Sequence, residues 1–351
     1  MSGEAIFIAG FLVFILVMLA IDLGLFSNSD KPVTTKHALI MSCVWIGFAL
    51  IFYALIFAYG DKLHGITTFA DLQAINIRHF HRLTLNPADL QVSLGLYRQN
   101  LSLEFITGYL VEYALSVDNI FVIVLLFTAF KVDPKHYQKV LIWGIIGAIV
   151  MRFVFIFIGA AAIARAEWVL YIFGAFLVYT GIMMFVNRNK EEHIDTENHK
   201  IVKLASKIFA VHPKFEGNQF FVKINAKRMI TPLFLVLLII EFTDLVFAVD
   251  SIPAVFSVTK DPYIVFFSNI FAILGLRSMF FLLVNIIDKF HYLKVGLAVL
   301  LAFIGAKMLA AHYAEAIGLT TMRSLIVIIL ILVISIVASL VFPKNDKKIT
   351  V

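Results

Sequence analysis

The 351-residue chain has one cysteine, Cys43, and only 15% charged residues. A single cysteine excludes an internal disulfide and a thiolate cluster for zinc, copper(I) or iron–sulfur chemistry, so a metal must be held by oxygen or imidazole. No basic face interleaved with aromatics is present, which excludes nucleic-acid reading despite the formal charge of +6. The chain also lacks a nucleotide-binding loop, and its aspartates are not followed by the Gly-x-Gly-Asp string of an intramembrane aspartyl protease, so no enzyme is expected. No polar stretch is large enough to fold alone as a soluble domain.

What the chain has in abundance is apolar surface. With 61% hydrophobic residues and a mean hydropathy of +0.95, it reads as an all-α polytopic membrane protein. At about 20 residues per crossing, about nine transmembrane helices are expected, near 5–26, 38–59, 103–130, 140–164, 169–186, 231–256, 263–287, 293–311 and 324–342. The first lacks a basic leader and runs past a signal-peptide core, so it reads as a retained span. Placing the N-terminus outside puts 19 Lys and Arg on the inner side against seven outside, which the positive-inside rule favours and which makes the C-terminus cytoplasmic. The net positive charge then reflects topology and attraction to anionic lipid. Two polar connectors remain, an outer loop over 61–102 and a cytoplasmic loop over 187–229 in which residues 200–209 could form a surface helix, although their short apolar face favours a solvated connector. The ten histidines fall mostly in loops, as at His79 and His81, and read as solvated residues without a role.

Two apolar stretches carry nearly the same sentence, EYALSVDNI over 112–120 and DLVFAVDSI over 244–252. Aligning Asp118 with Asp250 pairs Glu112 with Asp244 and brings Lys131-Val132-Asp133-Pro134 onto Lys260-Asp261-Pro262; Arg152 and Arg277 then occupy the following span of each half. Three spans separate the copies, an odd number, so they enter the membrane from opposite sides. That pattern predicts an inverted three-helix repeat, 103–186 and 231–311, of the sort that builds transporters with midplane ion sites. Coincidence among similar apolar segments is the competing explanation, and the shared order of acid, Asp, amide or hydroxyl, and Ile speaks against it.

A carboxylate at a helix centre costs about 2.5 to 3.5 kcal/mol on insertion scales, so several of them imply work on a cation. The intramembrane acids are Asp22, Glu112, Asp118, Glu241, Asp244 and Asp250, set against Arg152, Arg277 and Lys307, a sum of minus three. A divalent ion offsets most of that and protonation the rest, which gives a cation/proton antiport. Three cations cannot pair six acids one to one, which weighs against purely structural ion pairs. Candidate metal ligands are Glu112, Asp118, Asn119, Asp244, Asp250 and Ser251, with Asp22, Glu241, Arg152, Arg277 and Lys307 supporting or coupling to protons. This all-oxygen set suits Mn²⁺, Mg²⁺ or Ca²⁺ as a transported ion, with no permanently bound cofactor. Six residues along one helix leave Glu112 and Asp118 about 120° apart in rotation and about 9 Å apart along the axis. A break is therefore expected near Asp250, where Pro253 frees the Val249 carbonyl, and by analogy near Asp118.

These residues also carry a family likeness. The chain resembles the TerC/Alx family of bacterial integral membrane proteins through IDLGLF over 21–26, FITGYLVEYALSVDNIF over 105–121, LYIFGAF over 170–176, EFTDLVFAVDSIPA over 241–254, Asp261-Pro262-Tyr263, AILGLR over 272–277 and FIGAKM over 303–308. The resemblance implies a multi-pass protein of the cytoplasmic (inner) membrane linked to manganese export and, in some members, to tellurium resistance or an alkaline-pH response. It also implies that Glu112, Asp118, Asp244 and Asp250 form the ion path. The 61–102 stretch departs from the family by its length. The alternative to a transporter is a membrane scaffold that recruits stress-resistance or metalloprotein partners, with the acids serving structure.

Overall fold

The computed structural model describes residues 10–18, 20, 34–81, 83–188, 200–224, 227–284, 292–310 and 320–342. Residues 10–18 are helical within the first expected span, whereas Asp22 lies outside the described residues. The labelled helices are α1 (Thr35–Tyr59), α2 (Phe69–Arg78), α3 (Leu90–Ala129), α4 (Tyr137–Arg165), α5 (Val169–Asn187), α6 (Lys200–Ile208), α7 (Pro232–Phe256), α8 (Pro262–Leu283), α9 (Leu293–Leu309) and α10 (Thr321–Val341). Among the described residues seven helices, α1, α3, α4, α5, α7, α8 and α10, are long and apolar enough to cross a membrane. Of the nine expected spans, the two not in that set are the first, described over 10–18 and at 20, and α9, which is 17 residues long.

Helix starts follow local chemistry. Side chains of Thr34, Asp89, Asp261 and Thr320 accept hydrogen bonds from the first-turn amides of α1, α3, α8 and α10, and Pro232 and Pro262 occupy first-turn positions where a missing N–H costs nothing. The sequence placed 90–102 in a loop. Instead these residues form the beginning of α3, a 40-residue helix, because the Asp89 cap starts it well before the apolar run. The rest of the outer segment is also ordered, with a short 3₁₀ turn at Gly60–Lys62 and then α2. In the second polar connector α6 is present as a helix, and it is followed by an unforeseen hairpin, β1 (Phe221–Ile224) paired antiparallel with β2 (Lys227–Ile230). Ala205 of α6, Ile230 of β2 and Leu235 of α7 form a small apolar cluster, so this segment packs on the bundle rather than floating in solvent.

The expected helix breaks do not occur, since α3 runs unbroken through Asp118 and α7 through Asp250 and Pro253. Pro253 falls in the last turn of α7, where the lost N–H removes one bond and the helix ends before more is forfeited.

α8 is the central element, with 94% of its most apolar window buried, and it packs against α1, α3 and α4. α3 packs on α8 and α7 on α4, while α3 with α7, α4 with α8 and α5 with α9 are also in contact. Exchanging α3, α4, α5 for α7, α8, α9 leaves this set of pairs unchanged. The α5–α9 pair is backbone to backbone. A Cβ on Gly181 would lie 2.7 Å from the Ala298 carbonyl oxygen, and one on Gly305 would lie 2.6 Å from that of Gly174, the small-residue packing that lets membrane helices approach closely.

Candidate functional site

Arg152, fully buried on α4, gathers side chains from three other helices. Its Nη1 donates to Glu112 Oε1 of α3 and to Asn269 Oδ1 of α8 at 2.7 Å, and it lies 3.4 Å from Ser251 Oγ of α7. Its Nη2 is 3.5 Å from Asp244 Oδ1, also on α7. Asp244 and Ser251 are seven residues apart, nearly two helical turns, so one face of α7 presents both. Each carboxylate gives one oxygen to the guanidinium. The other oxygens, Glu112 Oε2 and Asp244 Oδ2, are buried without a hydrogen-bond partner among the described residues.

Of the six predicted ligands, Glu112, Asp244 and Ser251 therefore converge, on a resident cation. Asn119 lies nearby. Its Nδ2 is buried and unpartnered among the described residues, and it lines a cavity with Ile123, Gly144, Thr243, Asp244 and Leu276. Asp118, the residue before it, is half-buried on α3. Asp250 points elsewhere and accepts a hydrogen bond from Thr180 Oγ1 of α5 at 3.2 Å. Among the supporting residues, the Glu241 carboxylate lies against Gly147 of α4, in space that a Cβ there would fill. Arg277 is buried on α8, and Lys307 of α9 is partly buried within electrostatic reach of Glu104. Asn269 and Thr180 went unrecognised in the sequence, where a lone amide and a lone hydroxyl in apolar runs give no signal.

A second polar layer lies toward the start of α3. Glu104 of α3 accepts hydrogen bonds from Asn100 Nδ2 and Thr259 Oγ1, both at 2.6 Å, and its Oε1 is 3.0 Å from His81 Nδ1. Asp261, wholly buried at the start of α8, has its Oδ2 3.4 Å from His64 Nε2, and His64 Nδ1 is 2.9 Å from Tyr97 Oη. His64, His79 and His81 are all buried, which overturns their reading as solvated loop residues: the 61–81 segment folds its imidazoles inward onto α3 and α8. Burial pushes the His79 ring down to about 4, so it is neutral at pH 7. Burial raises the Asp261 carboxyl above its ordinary range. For His81 burial acts downward, but the Glu104 carboxylate outweighs it and holds the ring above the usual histidine value.

Both layers are built by α3 and α8 at the same interval. Glu104 and Glu112 are eight residues apart, as are Asp261 and Asn269, about 12 Å along parallel helices. Between the layers the helices close up, since a Cβ on Gly108 would lie 2.9 Å from Ser268 Oγ and 3.0 Å from Val255 Cγ1.

Residues 97–347, which hold every charged side chain of the Arg152 cluster, match the integral membrane protein TerC family. The uncharacterized membrane protein STKORF319 of Myxococcus xanthus is 41% identical over 338 residues, 96% of this chain and 92% of that protein. A Salmonella typhi protein named "Putative membrane-bound redox modulator Alx" is 39% identical over 351 residues, 99% of this chain and 98% of its own. The protein of the same name in Escherichia coli K12 is 40% identical over 312 residues, 89% of this chain and 88% of its own. No solved structure matches the chain. The chain is a multi-pass integral membrane protein and belongs to the TerC family.

Proposed function

We propose that this protein is a secondary transporter that exports divalent cations, Mn²⁺ foremost, in exchange for protons across a bacterial inner membrane. The N-terminus is outside and the C-terminus cytoplasmic in this reading, as the Lys and Arg bias indicates. The observation that carries the reading is the half-committed state of two carboxylates at equivalent positions of the duplicated string. Glu112 and Asp244 each spend one oxygen on Arg152 and keep the other buried without a partner among the described residues, and Asp244 faces a cavity that also has Asn119 in its wall. A buried carboxylate oxygen without a donor is costly unless a proton or a metal ion visits it.

Arg152 is then the stand-in charge of the unloaded site. Its guanidinium holds the two acids together, and an arriving divalent ion competes with it for the same oxygens. Asp250, bonded to Thr180 rather than to this cluster, serves a separate position along the path, and Glu241 and Asp118 supply further carboxylates on the same two helices. The exchange-invariant pairing of α3–α5 with α7–α9 supports an inverted repeat and with it alternating access around a fixed site. Ca²⁺ and Mg²⁺ are the competing ions for an oxygen cage.

One observation favours a second reading. Arg152 satisfies part of both acids, so the cluster could brace the bundle of a membrane scaffold that recruits metal-stress or metalloprotein partners and transports nothing itself. Mn²⁺ flux into proteoliposomes under an imposed pH gradient separates the two. The transporter reading expects gradient-driven flux that falls at least about tenfold, the loss of about 1.4 kcal/mol of barrier stabilisation, in Asp118→Asn, Asp244→Asn and Asp250→Asn. Absence of flux in folded wild-type protein, or wild-type rates in all three variants, overturns it.

A further inference from the structure

We infer that His64, His79 and Asp261 form a second metal site, outside the intramembrane acid cluster, that takes a divalent transition-metal ion through two imidazole nitrogens and one carboxylate oxygen. This inference does not depend on the transport reading. All three side chains are buried, and one ligand atom from each lies within 4.8 Å of the other two. The His64 Nε2 to Asp261 Oδ2 separation of 3.4 Å matches the edge of a tetrahedral site, about 3.4 Å for bonds near 2.1 Å. Drawing His79 in needs its ligand atom to shift by at most about 1.4 Å, the gap between the 4.8 Å limit and that edge.

The surroundings are arranged as a metal site needs. An ion on His64 Nε2 requires the ring proton on Nδ1, and Tyr97 Oη stands 2.9 Å from that nitrogen to accept it, the outer hydrogen bond that fixes a ligating imidazole. Asp261 Oδ1 is committed to the Tyr263 amide at 2.9 Å, which holds the carboxylate so that Oδ2 faces His64. Oδ2 itself accepts no hydrogen bond among the described residues.

The backbone delivers these residues at some cost. α2 ends in a Schellman motif in which the His81 amide donates to the Asn76 carbonyl and the Phe80 amide to that of Ile77. The left-handed position of that motif favours glycine, yet Phe80 fills it at φ 54°, a strained conformation for an aromatic residue. The turn sets His79 and His81 on the buried side of the chain, with the Phe80 ring outside them under Lys260 Nζ at 4.5 Å. The donor set decides the ion class. Imidazole nitrogen favours Zn²⁺, Co²⁺, Ni²⁺ or Fe²⁺ over Ca²⁺ and Mg²⁺, and three protein ligands leave a coordination position for water.

The test titrates Co²⁺ into the full-length chain in detergent and reads the visible ligand-field bands of a low-coordinate site. Wild-type protein is expected to develop them at about one equivalent, as a single site requires, and to lose them to Zn²⁺ but not to Ca²⁺ or Mg²⁺. His64→Ala and His79→Gln should abolish the bands, and Tyr97→Phe should weaken affinity by about 10–100-fold as an outer-layer change does. Asp118→Asn and Asp250→Asn, intramembrane acids outside this site, should leave them intact, so failure here and failure of Mn²⁺ flux are separable. Thermal unfolding with chelator present certifies that each variant is folded. No bands in wild-type protein, or bands that persist in folded His64→Ala and His79→Gln, overturn the site.

Discussion

Arg152 touches groups that lie 40, 99 and 117 residues away along the chain. Removing one member of a buried ion cluster strands the rest, at about 3–5 kcal/mol. Arg152→Met should therefore cost that much in unfolding free energy, and Arg152→Met with Glu112→Gln should recover part of it because the stranded charge is gone. Thermal and denaturant unfolding in detergent measure both, and an additive double variant would show that the two residues do not share their energy. At this scale the sequence reveals which residues are expensive but not how they pair. Six acids and three cations in apolar runs were plain to read, whereas the assignment of Glu112 and Asp244 to one guanidinium depends on how α3, α4 and α7 cross. The histidines misled for the converse reason. His79 and His81 sit in a polar stretch, and only the fold of 61–81 over α3 and α8 takes them out of water.

Among the elements, α5 and α9 are tied most closely. A methyl group on Gly181 would meet the Ala298 carbonyl oxygen at 2.7 Å and the Ala302 nitrogen at 2.8 Å, and neither backbone atom can swing aside. Gly181→Ala should cost about 1–3 kcal/mol, the usual penalty of overpacking, seen as a lowered unfolding midpoint. Gly47→Ala, where the added carbon meets nothing within 4 Å, is the control and should be neutral or mildly stabilising. Thr180, the neighbour of Gly181, holds Asp250, so the spacing of this pair also positions an acid of α7. Element type was legible in the apolar spans, because runs of this length admit little but helix, whereas the hairpin of β1 and β2 in the polar connector was not foreseen. Element limits were not. α3 begins at its Asp89 cap rather than where the apolar run begins, and the expected interruption at Pro253 vanished because the proline lies too near the end of α7 to break anything.

For the molecule as a whole, the length of α3 is the informative quantity. Its 40 residues extend about 60 Å, twice the hydrocarbon core of about 30 Å, so its first turns stand clear of the bilayer and carry the 61–81 segment as a cap. In a Cys43→Ser background, Val92→Cys on that projecting part should react with a membrane-impermeant maleimide, while Val150→Cys, midway along α4 and 60% exposed on the apolar outside, should stay silent. A silent Val92→Cys or a reactive Val150→Cys would contradict this placement of the bundle.

The cap also makes the two ends of the bundle unlike. An Asp-Pro pair precedes α4 and another opens α8. At the first, the Asp133 side chain is 51% exposed and paired with Lys135, whereas at the second Asp261 is sealed under His64. If the protein transports ions as proposed, an ion arriving at the open end would keep its water shell up to the threshold, while one at the capped end would shed water among the buried side chains of the cap. On that reading hydration would be stripped at different stages on the two sides, and a slowly dehydrating ion such as Mg²⁺ would meet its kinetic barrier chiefly at the capped one.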